Sequence, residues 1–478
     1  MIELSRAQDE EVGDGTTSVI ILAGEVLSVV EGFLEKEVHP TTIVTAYFQA
    51  LEDIKKLTNE LAIPINMENN DDVAKIVGGV IGTKFASKWG RMVVDLAVKA
   101  VPIVYKKEGD NVEIDIKRYA KVEKIPGGML EECCVLDGVM FNKDITHPGM
   151  RRVIKNPRIC LLDCPLEYKK GESMTNMEFT QEDDFKKALQ MEEIEVKRLC
   201  EAILKVKPDI VITEKGVSDL AQHYLLKQGN CTVFRRLRKT DNNRVARASG
   251  ATIVNRPEEL TEDDIGTHCG LFEVKKIGDE YFTFLTECKE PRACSIILRG
   301  ASKDVLNEIE RNLQDALGVC RNVFLNPKVV PGGGALEMEL ACRLQAKAQT
   351  LPGVQQWPYK ALASALEVIP RTLASNCGSD VVRTITELRA KHSQDGGFMY
   401  GIDGDTGKIS NMQEKEIWDP AAVKIQTFKT AIESACMLLR IDDIVSGIKK
   451  ERNQGGRKSQ DSDDETGEGD TFGDARDG

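Results

Sequence analysis

The chain has 478 residues, with 64 basic side chains against 77 acidic ones and a formal charge of −13. That length suits roughly three domains of about 150 residues each, and an apolar share of 41% excludes a wholly disordered chain. The acidic balance argues against a protein that coats nucleic acid, so no nucleic-acid partner is expected. The apolar runs Val19–Ala23 and Ile203–Ile212 read as too short for membrane spans, and Glu25, Lys205 and Asp209 bound or interrupt them. No membrane partner is expected either. The start Met1-Ile2-Glu3-Leu4 has neither a basic nor a long apolar segment of the secretory kind. None of the 13 cysteines forms a C-x-x-C pair, and the 5 histidines are scattered. This pattern reads as reduced, buried thiols in a cytoplasmic protein.

Residues 16 to 62 carry helical periodicity through Val19, Leu22, Ala23, Val26, Leu27 and Val30. His39-Pro40-Thr41 ends one helix and opens the next, with Thr41 or Thr42 near the cap and Pro40 fixing the entry. Residues 64–70 read as a linker, and a helical pattern follows over residues 71–100. Residues 101 to 163 change character. Strands are expected at residues 112–116, 135–136, 139–141 and 158–163, and another at residues 209–213. The charged stretch over residues 168–205 reads as helix. Residues 217–226 read as a helix opened by Ser218 and Asp219, and residues 235–251 as a basic helix. Strands are expected at residues 281–285 and 295–299. Long helices return over residues 305–324, 336–351, 357–376, 379–391 and 419–440. Helix-rich ends thus flank an α/β middle, which implies one helical domain built from both ends with others inserted. The tail from Lys449 onward is acidic, nearly free of apolar residues, and reads as disordered.

Four motifs carry chemistry. Gly13-Asp14-Gly15-Thr16-Thr17-Ser18 runs straight into a helix. Such a loop offers backbone N–H groups and a helix dipole to an anion, hydroxyls from the two threonines and Ser18, and a hard oxygen ligand in Asp14. It also suits a plain turn with a helix cap. Pro331-Gly332-Gly333-Gly334-Ala335 opens a second helix, as a close backbone approach or as a hinge. Asp315 lies off the apolar stripe of its helix, four residues after Arg311, as an ordinary solvated acid would. Gly401-Ile402-Asp403-Gly404-Asp405-Thr406-Gly407 reads as a hairpin turn, and Asp419 before Pro420 as a helix cap. Together, two glycine loops at helix starts and two carboxylates in one domain suggest a nucleotide site with Mg²⁺. Neither a P-loop nor a dinucleotide fingerprint occurs.

These motifs resemble those of the group II chaperonins. Glu10-Glu11-Val12-Gly13-Asp14-Gly15-Thr16-Thr17 is similar to their nucleotide loop, and Val330-Pro331-Gly332-Gly333-Gly334-Ala335 to their second one. Leu438-Leu439-Arg440-Ile441-Asp442-Asp443 is similar to their near-terminal signature. Lys215-Gly216-Val217-Ser218-Asp219 and Arg244-Val245-Ala246-Arg247 resemble segments of their apical domain. Lys239-Thr240-Asp241-Asn242-Asn243, Glu167-Tyr168-Lys169-Lys170-Gly171-Glu172 and Gln356-Trp357-Pro358-Tyr359 are similar to one subunit type of the eukaryotic cytosolic branch. The match runs from residue 1 to about residue 450.

The resemblance implies a multidomain α and α/β fold with a split, mainly helical equatorial domain over residues 1–65 and 328–448. It implies an intermediate domain over residues 66–136 and 291–327, an apical domain with a helical protrusion over residues 137–290, and a tail over residues 449–478. The implied cofactors are ATP/ADP and Mg²⁺. Asp14 would hold the metal, and Gly15, Thr16, Thr17 and Ser18 would cradle phosphates. Thr83 and Lys84 would lie near the nucleotide, and Asp315 would orient or deprotonate the attacking water. Gly333 would approach the nucleotide by its backbone, Gly404 would lie beside the base, Asp419 would bind the ribose, and Lys424 is a further candidate. The implied partners are seven paralogous subunits in a double ring and unfolded clients such as actin and tubulin. Two apical helices would face the cavity, where His223, Arg235, Arg236, Arg238 and Lys239 would suit acidic client segments.

Family members carry about eighty residues before the Gly-Asp-Gly-Thr-Thr loop, including two further phosphate-loop motifs that do not occur here. The expectation is a chain lacking that segment, in which ATP turnover is doubtful. The alternative is then a binding or assembly component without turnover of its own. A small-molecule kinase is a third reading.

Overall fold

Helices from both ends of the chain share one apolar core. Thr16–Leu34 buries Val19, Leu22, Ala23, Val26 and Val30 along a single stripe. That stripe packs with Tyr47 and Leu51 of Pro40–Leu61, Leu336 and Leu340 of Ala335–Ala348, Tyr359 of Gln356–Ala365, and Phe428 and Ile432 of Ala421–Leu438. Each such aliphatic or aromatic side chain stabilises by about 1.5–3 kcal/mol when fully buried. By length and composition alone Thr16–Leu34 is apolar enough to cross a membrane, which corrects the reading of its apolar run as too short. Its buried stripe is a core stripe here. The computed structural model describes residues 1–67, 69–81, 89–109, 111–168, 182–394 and 396–441. The tail from Lys449, the Asp442-Asp443 end of the signature and residues 169–172 lie outside the described residues.

A second core joins Asn70–Ile81, Gly90–Val104 and Lys303–Leu325 through Val77, Val94, Ala97, Leu313 and Leu317. Against it lies a three-stranded sheet. Its central strand Cys294–Gly300 pairs parallel with Ala120–Pro126 and antiparallel with Cys134–Leu136.

A third core is α/β. Four parallel strands run in the order Thr232–Phe234, Ile210–Thr213, Ile159–Leu162 and Ile253–Val254. The first three are buried throughout, as the strands of a parallel sheet covered on both faces are. Glu182–Lys205, Asp219–Gly229 and Lys239–Ser249 accompany this sheet. An antiparallel sheet follows, in the order Val139–Phe141, Glu280–Thr286, Leu271–Ile277 and Val153–Lys155.

Several local expectations change. His39, not Thr41 or Thr42, caps Pro40–Leu61, its Nδ1 accepting from the Thr41 N–H at 3.3 Å. The expected linker begins at the second residue of Ile63–Pro64, a short strand on Lys328–Pro331. The strand expected over residues 112–116 stops at Glu113, because Asp115 caps the short helix Ile116–Tyr119. The basic helix begins at Lys239, since Arg236 takes a left-handed φ of 53° ahead of it. The helix expected over residues 357–376 is two helices, Gln356–Ala365 and Val368–Asn376. Asp419 is not a helix cap. It lies in Trp418–Pro420, which pairs with Lys328–Pro331, and Pro420 stands at the helix N-cap instead.

Candidate functional site

The Gly-Asp-Gly loop turns the chain between two helices. Gly13 ends Ile2–Val12 at φ 73°, its N–H donating to the Asp9 carbonyl at 2.9 Å. Gly15 opens Thr16–Leu34 at φ 79°. Both conformations are left-handed, where a Cβ costs energy. Gln8 braces the loop, its Nε2 donating to the Asp14 carbonyl at 3.1 Å and to Thr427 Oγ1 at 3.0 Å. A Cβ on Gly15 would lie 2.8 Å from Thr427 Oγ1, so the loop is pressed onto Ala421–Leu438.

No side chain caps Thr16–Leu34. Ser218, Ser302 and Asp380 do cap their helices, each accepting a backbone N–H. Gly15 has no side chain to accept from the first-turn amides, and an anion such as a phosphate fits a helix start of this kind. Thr16 and Ser18 are half-buried beside these amides, and Thr17 is exposed.

The second glycine loop repeats the device. Gly334 is the N-cap of Ala335–Ala348 at φ 77°, again without a side-chain cap. Among the described α-helix N-caps, Gly15 and Gly334 are the two in left-handed conformation. Gly333, at φ 63°, has no room for a side chain. A Cβ there would lie 2.8 Å from both the Ile402 carbonyl and Met412 Sδ. The Ile402 N–H donates to the Gly333 carbonyl at 2.9 Å, which ties this loop to the hairpin of Tyr400–Ile402 and Ile409–Asn411. On that hairpin Gly404 faces open space. Asp403 is held below the usual carboxylate range by Thr406 first and then by Lys415.

A buried ion cluster holds the second loop to the start of Ala421–Leu438. Lys424 Nζ donates to Glu337 Oε1 at 2.8 Å and lies 3.0 Å from Asp419 Oδ2. Burial pulls the Lys424 ammonium pKa down, but Asp419 and Glu337 outweigh it and raise it well above the usual lysine value. Asp419 faces Val330 in register, and its carboxylate lies beside Gly332. The first turns of Ala421–Leu438 therefore touch the first loop through Thr427 and the second through Lys424.

Asp315 reaches the first loop from another element. Its helix, Lys303–Leu325, docks on the end of Ile2–Val12, where Asn322 Nδ2 donates to the Val12 carbonyl at 2.8 Å and Arg321 to that of Glu11. A Cβ on Gly13 would lie 3.3 Å from Gly318 Cα and 3.5 Å from the Asp315 carbonyl. Arg311, expected as the neighbour of Asp315, pairs with Glu308 at 3.6 Å. A cavity of about 410 Å³ opens here, lined among others by Glu10, Gly13, Lys121, Arg244 and Asp315. Asp14 and Asp315 are hard oxygen donors of the type Mg²⁺ takes.

Thr83 and Lys84 lie outside the described residues. Gln8, Glu337 and Thr427 escaped the reading of the sequence. Gln8 sits in a mostly exposed helix with no motif around it, and an acid in a first helical turn reads as a dipole partner. Only their partners in space give them meaning.

The chain matches the TCP-1/cpn60 chaperonin family over residues 1–449. It is 72% identical to T-complex protein 1 subunit gamma of Oxytricha granulifera, over 100% of this chain and 86% of that one. It is 59% identical to the human protein of the same name, over 96% and 84%. The open-state monomer of a group II chaperonin from Methanococcoides burtonii superposes with a TM-score of 0.68 at 33% identity, covering 90% of this chain and 100% of that chain. The subunit type that residues 239–243 and 356–359 resemble is the gamma type these relatives carry. With two glycine-initiated helices both seated on Ala421–Leu438, and with that breadth of match, the chain belongs to the TCP-1/cpn60 chaperonin family.

Proposed function

We propose that this chain acts as a gamma-type subunit of an ATP-driven cytoplasmic chaperonin. It works beside seven paralogous subunits in a double ring and encloses and folds unfolded proteins such as actin and tubulin. The observation that carries this reading is the pair of glycine-initiated helices both seated on Ala421–Leu438, one through Thr427 and one through Lys424, with the Asp315 helix seated on Gly13. The three cores serve as equatorial, intermediate and apical domains, with the boundaries the resemblance implies.

In this reading the amides after Gly15, with the hydroxyls of Thr16, Thr17 and Ser18, hold the phosphates of ATP or ADP. Asp14 holds Mg²⁺, which neutralises charge on the phosphate oxygens. Asp315 orients the water that attacks and takes its proton. Gly333 lets the backbone approach the nucleotide, Gly404 leaves space for the base, and Asp419 accepts from the ribose hydroxyls. Thr83 and Lys84 complete the phosphate side. Lys424 is a positioning residue, because its ammonium is committed to Glu337 and Asp419. The site's own hydrolytic carboxylate favours turnover by this chain over a purely structural role. Nothing among the described residues favours a small-molecule kinase.

The test is the native mass of the chain mixed with its seven paralogs. A particle near one megadalton that contains the chain and hydrolyses ATP supports the reading. A chain that stays outside that particle contradicts it.

A further inference from the structure

Of the 5 histidines, His39, His147, His223 and His268 are exposed, and His392 is buried with its ring out of contact with solvent. It is the last residue of the helix Val381–His392, where the helix dipole favours a cation. Its Nδ1 lies 2.8 Å from Glu339 Oε2, and its Nε2 lies 2.9 Å from the Tyr400 carbonyl oxygen. A backbone carbonyl can only accept. Glu339 is an acceptor too. Burial raises its carboxyl, but His392 and Arg343, whose Nε donates to Oε1 at 2.7 Å, outweigh that and hold it below the usual range. A neutral imidazole has one N–H and one lone pair. It can satisfy one of these two acceptors, and it turns a lone pair on the other. Only a ring with two N–H groups satisfies both.

The two bonds join elements that meet at the second glycine loop. Glu339 belongs to Ala335–Ala348, the helix that Gly334 opens. Tyr400 begins the strand Tyr400–Ile402, which is pressed onto the loop. A Cβ on Gly401 would lie 2.9 Å from the Gly332 carbonyl oxygen and 3.0 Å from that of Gly333. The same strand leads into the turn that holds Gly404. His392 thus ties the helix after the loop to the hairpin packed on the loop. The other charges nearby have partners of their own. Arg389 pairs with Glu367 at 2.5 Å, and Lys391 lies over the Tyr400 ring, 4.1 Å from its centroid.

We propose that His392 is a positioning residue for the nucleotide, a doubly protonated, cationic imidazole that holds the Gly404 hairpin against the second glycine loop. This rests on the proposed function, in which Gly333 and Gly404 border the nucleotide. When the ring loses a proton or is replaced, one end of the brace is released and the hairpin side of the site loosens. The first loop has separate supports, since Gln8 Nε2 holds the Asp14 carbonyl and Thr427 Oγ1. Nucleotide affinity therefore suffers more than the hydrolytic step.

Two measurements test this. The first is solid-state NMR of the full-length chain, isotope-labelled at the histidine ring nitrogens, at about pH 8, well above the ordinary histidine pKa of about 6.5. The parent should show one ring with both nitrogens protonated, and His392→Gln should lack it. A parent without such a ring, or a signal that persists in His392→Gln, would overturn the charge assigned to His392. Should His392→Gln fail to fold, Glu339→Gln removes the anion that faces the ring, and persistence of the signal there would overturn the assignment equally. The second uses assembled rings with His392→Gln in this chain alone. Photo-crosslinking of an azido-ATP to this subunit should need about tenfold more nucleotide for half-saturation, while single-turnover hydrolysis at saturating ATP falls by about twofold at most. Equal losses in both would make His392 a structural residue and overturn the positioning role. Parent rings in which this subunit takes up no nucleotide would overturn the proposed function and this role with it, while the NMR spectrum would still read the charge on the ring.

Discussion

Gly13 and Gly318 meet backbone to backbone. A Cβ on either one would lie 3.3 Å from the Cα of the other. This contact lets the Asp315 helix sit directly on the loop that turns into Thr16–Leu34. It joins the helix that carries Asp315 to the Gly-Asp-Gly loop without any intervening side chain.

Gly318→Ala should therefore separate these elements. Alanine suits a helix better than glycine by up to about 1 kcal/mol, so fold stability should hold. The ATPase rate should fall while nucleotide affinity stays close to that of the parent. Gly13→Ala adds the strain of a left-handed φ, about 1–2 kcal/mol, and should lower both stability and rate. Steady-state ATPase and thermal melts on the two variants check this. An unchanged rate in Gly318→Ala would contradict the role given to the contact.

Lys424→Met should leave Glu337 and Asp419 without their cation. Breaking such a buried pair costs about 3–5 kcal/mol. Adding Glu337→Gln should restore part of the stability but not the nucleotide affinity, since Asp419 remains unanchored. The folded ammonium pKa is raised, so the cluster's stabilisation is complete below the ordinary lysine range. It is lost only as pH rises through the still higher folded value. Denaturant unfolding from pH 7 to pH 10 should show no loss attributable to this cluster, and a loss by pH 9 that Lys424→Met lacks would count against it.

The loops were legible in the sequence because glycine runs at helix starts have few physical uses. The shared core of the two ends was legible because helical stripes such as Val19 to Val30 survive any topology. The short strands Cys134–Leu136, Val139–Phe141, Ile159–Leu162 and Ile210–Thr213 were legible as apolar runs, but others were not. Ala120–Pro126 carries Lys121, Glu123 and Lys124, and its pairing with Cys294–Gly300 joins residues far apart in the chain. Asp419 misled for a similar reason. An acid before proline at a helix start looks like a cap, and only the strand contact with Val330 reveals that its carboxylate is free to serve Lys424. Gln8 gave no signal, since its partners Asp14 and Thr427 straddle the whole chain.

Glu339 gives an acid-side prediction. Burial raises its carboxyl, but His392 at 2.8 Å and Arg343 at 2.7 Å outweigh that and hold it below the usual range. A lowered carboxylate contributes stability above its ordinary pKa and loses it as pH falls through the folded value. Glu339→Gln should be less stable at pH 7 and should lose less on going from pH 6 to pH 4 than the parent does. Equal acid sensitivity of both proteins would contradict this.

Arg235, Arg236 and Arg238 are exposed just ahead of Lys239–Ser249. Reversing all three to Glu should weaken capture of acidic client segments by tenfold or so, about 1.4 kcal/mol, and the effect should shrink with added salt. Pull-down of an unfolded acidic client at low and high ionic strength reads this out. Unchanged capture at low salt would remove the basic patch from the account.

The account rests most directly on Asp315 as the group that acts on water. The measurement is ATP binding and single-turnover hydrolysis in assembled rings carrying Asp315→Ala in this chain alone. The account predicts near-parental nucleotide affinity for this subunit, with its hydrolysis lost by at least a hundredfold, the scale of general base removal. Equal loss of binding and hydrolysis, or hydrolysis undiminished, would contradict it.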